Sequence, residues 1–129
     1  MVIAKSTVEN YITEIISGIP KIYSDVTEEK GGSGKYFGPH DLLEAAFAAC
    51  LNITARKIMD SMSVTYDGVT VKVVLDKSDE AKTVFKYQID ISGSVDRETR
   101  ETVIRKVMDC PVKKTLSKPL EFVRTTGLG

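Results

Sequence analysis

Two cysteines are the residues in this sequence whose type alone could support chemistry, because a thiolate is both a nucleophile and a redox-active group. Cys50 and Cys110 lie far apart in a chain of 129 residues, each in a different local context. Free cysteine is among the most buried residue types, so two inert core cysteines are the first interpretation. Redox-active thiols are the alternative, and the surrounding residues have to decide between the two.

Cys110 lies where a helix should begin. Pro111 cannot continue a helix from before it but readily starts one, and residues 112–117 have the composition of a short helix. A thiol at this end would face unpaired N–H groups, with Lys113 and Lys114 within one turn, and such a setting lowers the pKa of a thiol. Local sequence leaves open whether Cys110 is an acidic thiol or a cysteine that merely packs.

Cys50 lies within the strongest predicted helix, from His40 to about Met62. On the helical wheel it aligns with apolar residues, which predicts that the helix carries its cysteine toward the core. These residues are Leu43, Ala46, Phe47 and Ile53. A thiol on an apolar face needs a cation or a hydrogen-bond donor from elsewhere in the fold to become reactive. His40, Arg56 and Lys57 are the candidates for that role.

The remaining segments predict strands, a loop and one more helix. Two strands are expected between Asn10 and Thr27, and further strands at Val69–Asp76, Thr83–Ser92 and Leu120–Thr125. The glycine-rich stretch from Glu28 to Pro39 predicts a shaped loop that leads into the helix of Cys50, with a flexible linker as the alternative. Asp96 is the expected N-cap of the other helix, which ends near Asp109. This order of elements predicts an α+β fold.

Length and composition limit the class of protein. A chain of 129 residues predicts a single domain over residues 1–129. Eighteen basic residues balance eighteen acidic ones, which argues against a protein that binds the nucleic-acid backbone. No apolar run is long enough to predict a membrane span, and the amino terminus lacks the pattern of a signal peptide. We therefore expect a cytoplasmic protein, in a compartment where thiols are kept reduced.

Both cysteines lie in motifs that resemble one known family. The stretch GPHDLLEAAFAACL, Gly38 to Leu51, resembles the motif around the first cysteine of the OsmC/Ohr hydroperoxide reductases. DCPVKKTLS, Asp109 to Ser117, is similar to the motif that holds the second cysteine of that family. The acidic, glycine-rich segment SDVTEEKGGSGKYFGP upstream also resembles many OsmC-like proteins. The resemblance runs from about Ile19 to Val123, and the order of the elements agrees with the family.

The resemblance implies a fold, a reaction and partners. It implies an OsmC-like fold in which antiparallel sheets wrap around two central helices of an intertwined homodimer. It also implies that Cys50 attacks an organic or inorganic hydroperoxide and becomes a sulfenic acid, which Cys110 captures as a disulfide. An external dithiol, of the lipoyl type or another, then reduces the pair. The family chemistry uses no metal and no organic cofactor.

This sequence departs from the family pattern at the positions that activate the first cysteine. His40 stands where the Ohr branch has a glutamate, and Asp41 matches the acidic residue of the broader OsmC-like group. The family arginine that steadies the thiolate has no counterpart, since no arginine precedes Arg56. The cations that precede it are lysines, which lack the bidentate fork of arginine. Lys35, His40 and Asp41 are therefore the candidate substrate-binding or thiolate-activating residues. The other lysines are Lys5, Lys21 and Lys30.

Two further interpretations differ in class. One is a non-catalytic dimer, in which an apolar cleft binds a hydrophobic ligand or the cysteines act as a slow redox sensor. The other is a metal site formed by Cys50, Cys110 and His40, which is a weak signal because no CxxC or HxxxH spacing accompanies it.

Overall fold

The computed structural model describes residues 1–129 as three α-helices, one short 3-10 helix (Glu28–Lys30) and five strands in an α+β arrangement, as predicted. Three short strands come first, followed by a long helix, a pair of long strands and two further helices. They are β1 (Ile3–Ser6), β2 (Thr13–Ile16), β3 (Lys21–Ser24), α1 (Pro39–Ser61), β4 (Gly68–Asp76), β5 (Val84–Ser92), α2 (Arg97–Val107) and α3 (Pro111–Leu116). None of the helices combines the length and the apolar character that crossing a bilayer requires.

The strands form two sheets, one of three strands and one of two. The first has the order β1-β2-β3 with antiparallel pairing, in which Ile3 pairs with Ile16 and Ile15 pairs with Ile22. β4 and β5 form the second sheet. The Asp67 N–H donates to the Ser92 carbonyl at one end of this pair, so opposite ends of the two strands meet as in a hairpin.

Most of the predicted elements are confirmed, one strand was not predicted, and one predicted strand is wrong. β2 and β3 lie within the predicted range, β4 and β5 lie within one residue of their predicted bounds, and Asp96 caps α2 by accepting the Thr99 N–H at 2.7 Å. β1 was not predicted, because the first strands were expected only after Asn10. The predicted strand at Leu120–Thr125 is wrong, because these residues are irregular and exposed. A strand needs a hydrogen-bonded neighbour, and no strand of the chain pairs with this segment.

The chain folds into two compact units. One comprises Met1–Ala45 and Val74–Lys86, and the other comprises Ala46–Val73 and Tyr87–Gly129. Since α1, β4 and β5 each contribute residues to both units, neither unit is a continuous piece of chain. The single domain expected from chain length is not tested by this division and stays a prediction.

The core of the second unit is supplied by α1, β5 and α2. Its buried side chains include Leu51 and Met59 of α1, Ile91 of β5, and Val103 and Val107 of α2. Phe47 packs edge to face against Tyr87, with ring centroids 5.7 Å apart. Burial of these apolar side chains stabilises the side of α1 that faces the core. It thereby fixes the position of Cys50 on the same helix.

The glycine-rich loop of the first unit is organised around the buried carboxylate of Asp25, which is 2% exposed. It accepts N–H bonds from Val26 and Ser33 at 2.7 Å and from Tyr11 at 3.2 Å, and the Ser33 hydroxyl donates to it as well. The bonds from Ser33 are the main cause that lowers the Asp25 pKa to about 2. Gly32 passes so close that a Cβ atom there would lie 2.2 Å from the Val26 carbonyl oxygen. The segment is therefore a shaped loop, as predicted.

Candidate active site

α1 begins at Pro39, and the Asp41 side chain caps its first turn. The Gly38 N–H donates to the Asp41 carboxylate at 2.7 Å, which satisfies a backbone group that the helix leaves free. Asp41 was a candidate for binding substrate or activating the thiolate. In the structure its carboxylate holds the helix start, and the predicted role stays a prediction.

Cys50 lies near the middle of α1 and is half-buried. The prediction that this stripe of the helix faces the core is confirmed for Phe47, which is 4% exposed, and is wrong for Leu43 and Ile53, which are 48% and 45% exposed. The buried stripe of α1 instead consists of Phe47, Leu51, Ala55 and Met59. α1 carries two neighbouring apolar stripes, and the rest of the chain covers only one of them. Cys50 consequently lies beside the core with part of its surface open.

Cys110 is the N-cap residue of α3 and has no exposed surface. Its backbone is extended, Pro111 is the first residue of the helix, and its sulfur accepts the Lys113 N–H at 3.4 Å. The predicted start of a short helix is therefore confirmed, and the thiol takes the place that a serine or aspartate side chain commonly fills.

The two cysteines converge on the first turn of α3. The Val112 N–H donates to Cys50 Sγ at 3.5 Å, and the next amide, that of Lys113, donates to Cys110 Sγ. Consecutive amides of one helical turn thus contact one sulfur each. Both cysteines are free thiols. The structure therefore brings the predicted pair together.

Of the two interpretations that the sequence left open for Cys110, the structure favours the packed cysteine over the acidic thiol, because burial raises the pKa of this thiol. The Lys113 N–H works in the opposite direction, and interaction with the neighbouring Cys50 thiol adds to the increase in pKa. The Lys113 ammonium does not help, since its Nζ donates to the Met108 carbonyl at 3.3 Å. Lys114 is exposed. The loss of water around a fully buried sulfur outweighs one N–H bond.

An open groove of about 420 Å³ runs along α1 from Cys50. Pro111 lines it where α3 begins. The other lining residues follow the helical repeat from Cys50 and are Ile53, Thr54, Lys57, Ile58 and Ser61. These residues recur every three or four positions after Cys50, so they form one stripe of the helix. The helical wheel of this segment could therefore have predicted which residues line the groove. Of the candidate cations near Cys50, Lys57 lines this groove, whereas Arg56 Nε donates to the Asn52 side chain at 2.9 Å.

The other candidate residues lie in the first unit. Lys35 and His40 have exposed side chains, and the Lys35 backbone N–H donates to the Ser33 hydroxyl at 3.3 Å. Lys21 forms an ion pair with Glu14 at 3.1 Å. The suggested roles of Lys35 and His40 stay predictions. No group of three or more histidine, cysteine or acidic side chains is arranged to hold a metal ion.

The family model for "OsmC-like protein" matches residues 32–123, and no curated protein sequence matches the chain. An OsmC-like protein of Mycoplasma pneumoniae has a similar structure, with a TM-score of 0.75, 20% identity, and coverage of 90% of this chain and 85% of that one.

Two organic hydroperoxide resistance proteins share the fold as well. That of Elizabethkingia anophelis gives a TM-score of 0.65 at 19% identity and covers 90% of this chain and 86% of its own. That of Bacillus subtilis, OhrB, gives a TM-score of 0.59 at 21% identity and covers 91% and 89%. The fold of the chain is that of OsmC, as the two cysteine motifs predicted. Since the matched segment includes both thiols and most of the chain, this protein belongs to the OsmC-like protein family.

Proposed function

We propose that this protein is a thiol-dependent hydroperoxide reductase in which Cys50 reacts with the peroxide and Cys110 resolves the product. The observation that carries the proposal is the convergence of both sulfurs on consecutive amides of α3, those of Val112 and Lys113. Because each free thiol contacts one of two consecutive amides in the same helical turn, we expect the two sulfurs to be able to form a disulfide.

The proposed reaction has two steps on the protein. The Cys50 thiolate attacks the terminal oxygen of R–O–O–H, the O–O bond breaks, and the leaving alkoxide takes up a proton and departs as R–OH. Cys50 is then a sulfenic acid. The Cys110 sulfur attacks the Cys50 sulfur, an S–S bond forms, and the hydroxyl group leaves as water. An external dithiol, for which a lipoyl-type reductant is our candidate, reduces the disulfide and is itself oxidised.

The difference in exposure between the two thiols supports these separate roles. Cys50 borders the groove, where a peroxide can reach it, whereas Cys110 is fully buried. Burial also raises the pKa of Cys110, so this thiol stays protonated over a wider range of pH. A protonated, inaccessible thiol is a poor first nucleophile, and it becomes useful once an electrophilic sulfur lies next to it.

The proposal needs a group that does the work of the missing family arginine. The Val112 N–H is a neutral donor already in contact with Cys50 Sγ. Such a donor stabilises a negative charge that appears on sulfur, although less strongly than a guanidinium would. We therefore expect a slower reaction with peroxide than an arginine-assisted site would give.

A homodimer is part of the proposal. The stripe of α1 that contains Leu43 and Ile53 is exposed in the single chain, and Phe122 in the carboxyl-terminal segment is 95% exposed. Large apolar side chains left open in this way are typical of a surface that a partner covers. A second copy of the chain is the partner we propose. We also propose that the protein is located in the cytoplasm.

Turnover of cumene hydroperoxide with a dithiol reductant tests the assignment. We expect Cys50→Ser to lower the rate by at least about a thousandfold, as removal of a nucleophile does. In Cys110→Ser we expect one equivalent of peroxide to be consumed, with the sulfenic acid of Cys50 trapped by dimedone and no disulfide formed. Ala49→Ser, which places a hydroxyl next to Cys50 in the chain, is the matched control and should keep its activity. Full activity in Cys50→Ser would refute the proposal.

A redox sensor without turnover is the second candidate, favoured by the absence of a cation in contact with Cys50. In that case peroxide would form the Cys50–Cys110 disulfide once, and added dithiol would not sustain peroxide consumption. The same assay, run with limiting protein and excess peroxide, separates the two functions.

A further inference from the structure

We propose that Tyr87 is a positioning residue for the second step of the proposed reaction, because it connects the two elements that carry the thiols. Its ring contacts α1 near Cys50, and its hydroxyl contacts the turn that leads to Cys110. By holding these elements together, Tyr87 raises the effective concentration of one thiol toward the other. The inference rests on the proposed function for its place in turnover, but the pairing of the thiols can be measured without a peroxide.

The aromatic ring of Tyr87 forms the first half of this connection. Tyr87 belongs to β5 and packs edge to face against Phe47 of α1, with ring centroids 5.7 Å apart. Phe47 is buried and lies three positions before Cys50, which is slightly less than one helical turn. The ring contact therefore anchors β5 to the part of α1 that carries the first thiol.

The hydroxyl of Tyr87 forms the second half, at the turn between α2 and α3. It donates to Met108 Sδ at 2.7 Å, and Met108 is the C-cap residue of α2, two positions before Cys110. The Met108 carbonyl accepts a bond from Lys113 Nζ at 3.3 Å, and the Lys113 N–H donates to Cys110 Sγ. Met108 is thus held through its sulfur by β5 and through its carbonyl by α3, which fixes the turn that carries Cys110.

The Tyr87–Met108 hydrogen bond and a Cys50–Cys110 disulfide would join the same two elements. The disulfide would join α1 to the turn directly, whereas the hydrogen bond joins them through β5. Once either link is formed, the ends of the other are held close together, so the other forms at a smaller cost in conformational entropy. The two links therefore stabilise each other, and loss of the Tyr87 hydroxyl should make the disulfide less stable.

The equilibrium of the protein with glutathione tests the inference. The protein dithiol and one molecule of oxidised glutathione exchange to give the protein disulfide and two molecules of reduced glutathione. Tyr87→Phe keeps the ring and loses the hydroxyl. We expect it to lower the equilibrium constant for disulfide formation by about threefold to fivefold, the effect of one neutral hydrogen bond to a weak acceptor. Alkylation with N-ethylmaleimide followed by mass spectrometry measures the fractions of dithiol and disulfide.

A double-mutant cycle separates this contact from a general effect on the fold. Met108→Leu removes the acceptor and leaves a side chain of similar size, and it should lower the equilibrium constant by a similar factor. The double variant should show that factor once, since both substitutions remove the same contact. Tyr66→Phe, which removes a phenol hydroxyl elsewhere in the second unit, is the matched control and should leave the constant unchanged.

The two steps of the reaction with peroxide should respond differently to Tyr87→Phe. The sulfenic acid of Cys50 should form at the rate of the parent protein, since Tyr87 does not line the groove that leads to Cys50. Its conversion to the disulfide should be slower, so that excess peroxide oxidises a larger share of Cys50 to sulfinic acid. A substitution that only loosened the fold would change both steps.

Two results would overturn the inference. An equilibrium constant in Tyr87→Phe equal to that of the parent protein would show that the contact does not support the pairing of the thiols. Losses that multiply in the double variant would show that Tyr87 and Met108 act separately. Failure of the proposed function looks different, because the glutathione equilibrium would still respond to Tyr87→Phe while no hydroperoxide is turned over.

Discussion

Two centres of the molecule, the Asp25 carboxylate and the pair of cysteine sulfurs, receive backbone N–H bonds, and they are built in opposite ways. Asp25 in the first unit receives N–H bonds from three residues and a hydroxyl bond from Ser33. The thiols of Cys50 and Cys110 in the second unit each receive one N–H bond, at 3.5 Å and 3.4 Å, and sulfur is a weak acceptor. The carboxylate is saturated with donors, and the sulfurs are not.

The difference separates a structural centre from a chemical one. Strong hydrogen bonds to an ionised carboxylate fix the loop that carries the donors. They also occupy the acceptor positions of the carboxylate, so none is left for a ligand. Weak bonds to sulfur hold two thiols close together while leaving each able to react. Perturbing the Asp25 centre should therefore change stability, whereas perturbing the thiol pair should mainly change reactivity.

The largest effect on stability is expected at Gly32. In Gly32→Ala the new Cβ would lie 2.2 Å from the Val26 carbonyl oxygen and 2.5 Å from Asp25 Oδ1, so the loop has to shift. We expect a loss of about 3 kcal/mol in the free energy of unfolding, at the upper end of overpacking costs. Urea unfolding measures it. Gly127→Ala, which meets no atom within 4 Å, should change stability little.

A smaller loss is expected for Asp25→Asn, and it should depend on pH. The Asp25 pKa is lowered from 3.8 to about 2 in the folded chain, so the ionised carboxylate stabilises the fold above the unfolded pKa. That contribution disappears as the pH falls through the folded pKa. The melting temperatures of wild type and variant should thus differ by several degrees near neutral pH and converge between about pH 4 and about pH 2. A difference that is the same at every pH would assign the effect to packing.

The smallest change in stability is expected at Cys110. Cys110→Ala removes one buried sulfur and should cost about 1 kcal/mol near neutral pH. Because burial raises the Cys110 pKa above 9.0, its contribution is complete below the unfolded pKa and is lost as the pH rises toward the folded value. Wild type should then lose more stability than Cys110→Ala as the pH rises from neutral into the alkaline range, as followed by urea unfolding. Parallel curves would contradict the raised pKa.

Local sequence was sufficient to predict the helices whose ends are set by neighbouring residues in the chain. α1 was predicted to within one residue, because a proline marks its start and an apolar repeat continues through it. Cys110 was placed at a helix start for the same kind of reason, since Pro111 can only begin a helix there. The pairing of Cys50 with Cys110 came from the two family motifs, and no local rule implies it.

The failures concern properties that distant residues decide. β1 has four exposed residues and is a strand because β2 pairs with it. Leu120–Thr125 has strand-forming residues but no neighbour in the chain. The helix position of Cys110 left open whether its thiol is acidic, and the burial that raises its pKa comes from packing. The Asp25 centre was missed because its donors, Tyr11 and Ser33, lie on either side of it in the sequence.

The N-cap of α3 is made of a sulfur atom that the proposed reaction oxidises, so the redox state and the helix end are thermodynamically linked. The two free sulfurs would have to approach each other to about 2 Å to form the bridge, and this movement would weaken the N–H contacts of Val112 and Lys113 together. Whatever free energy those two contacts contribute favours the reduced protein, which makes the disulfide easier to reduce. Hydrogen exchange at these two amides would therefore report the oxidation state of the pair, faster in the disulfide than in the dithiol.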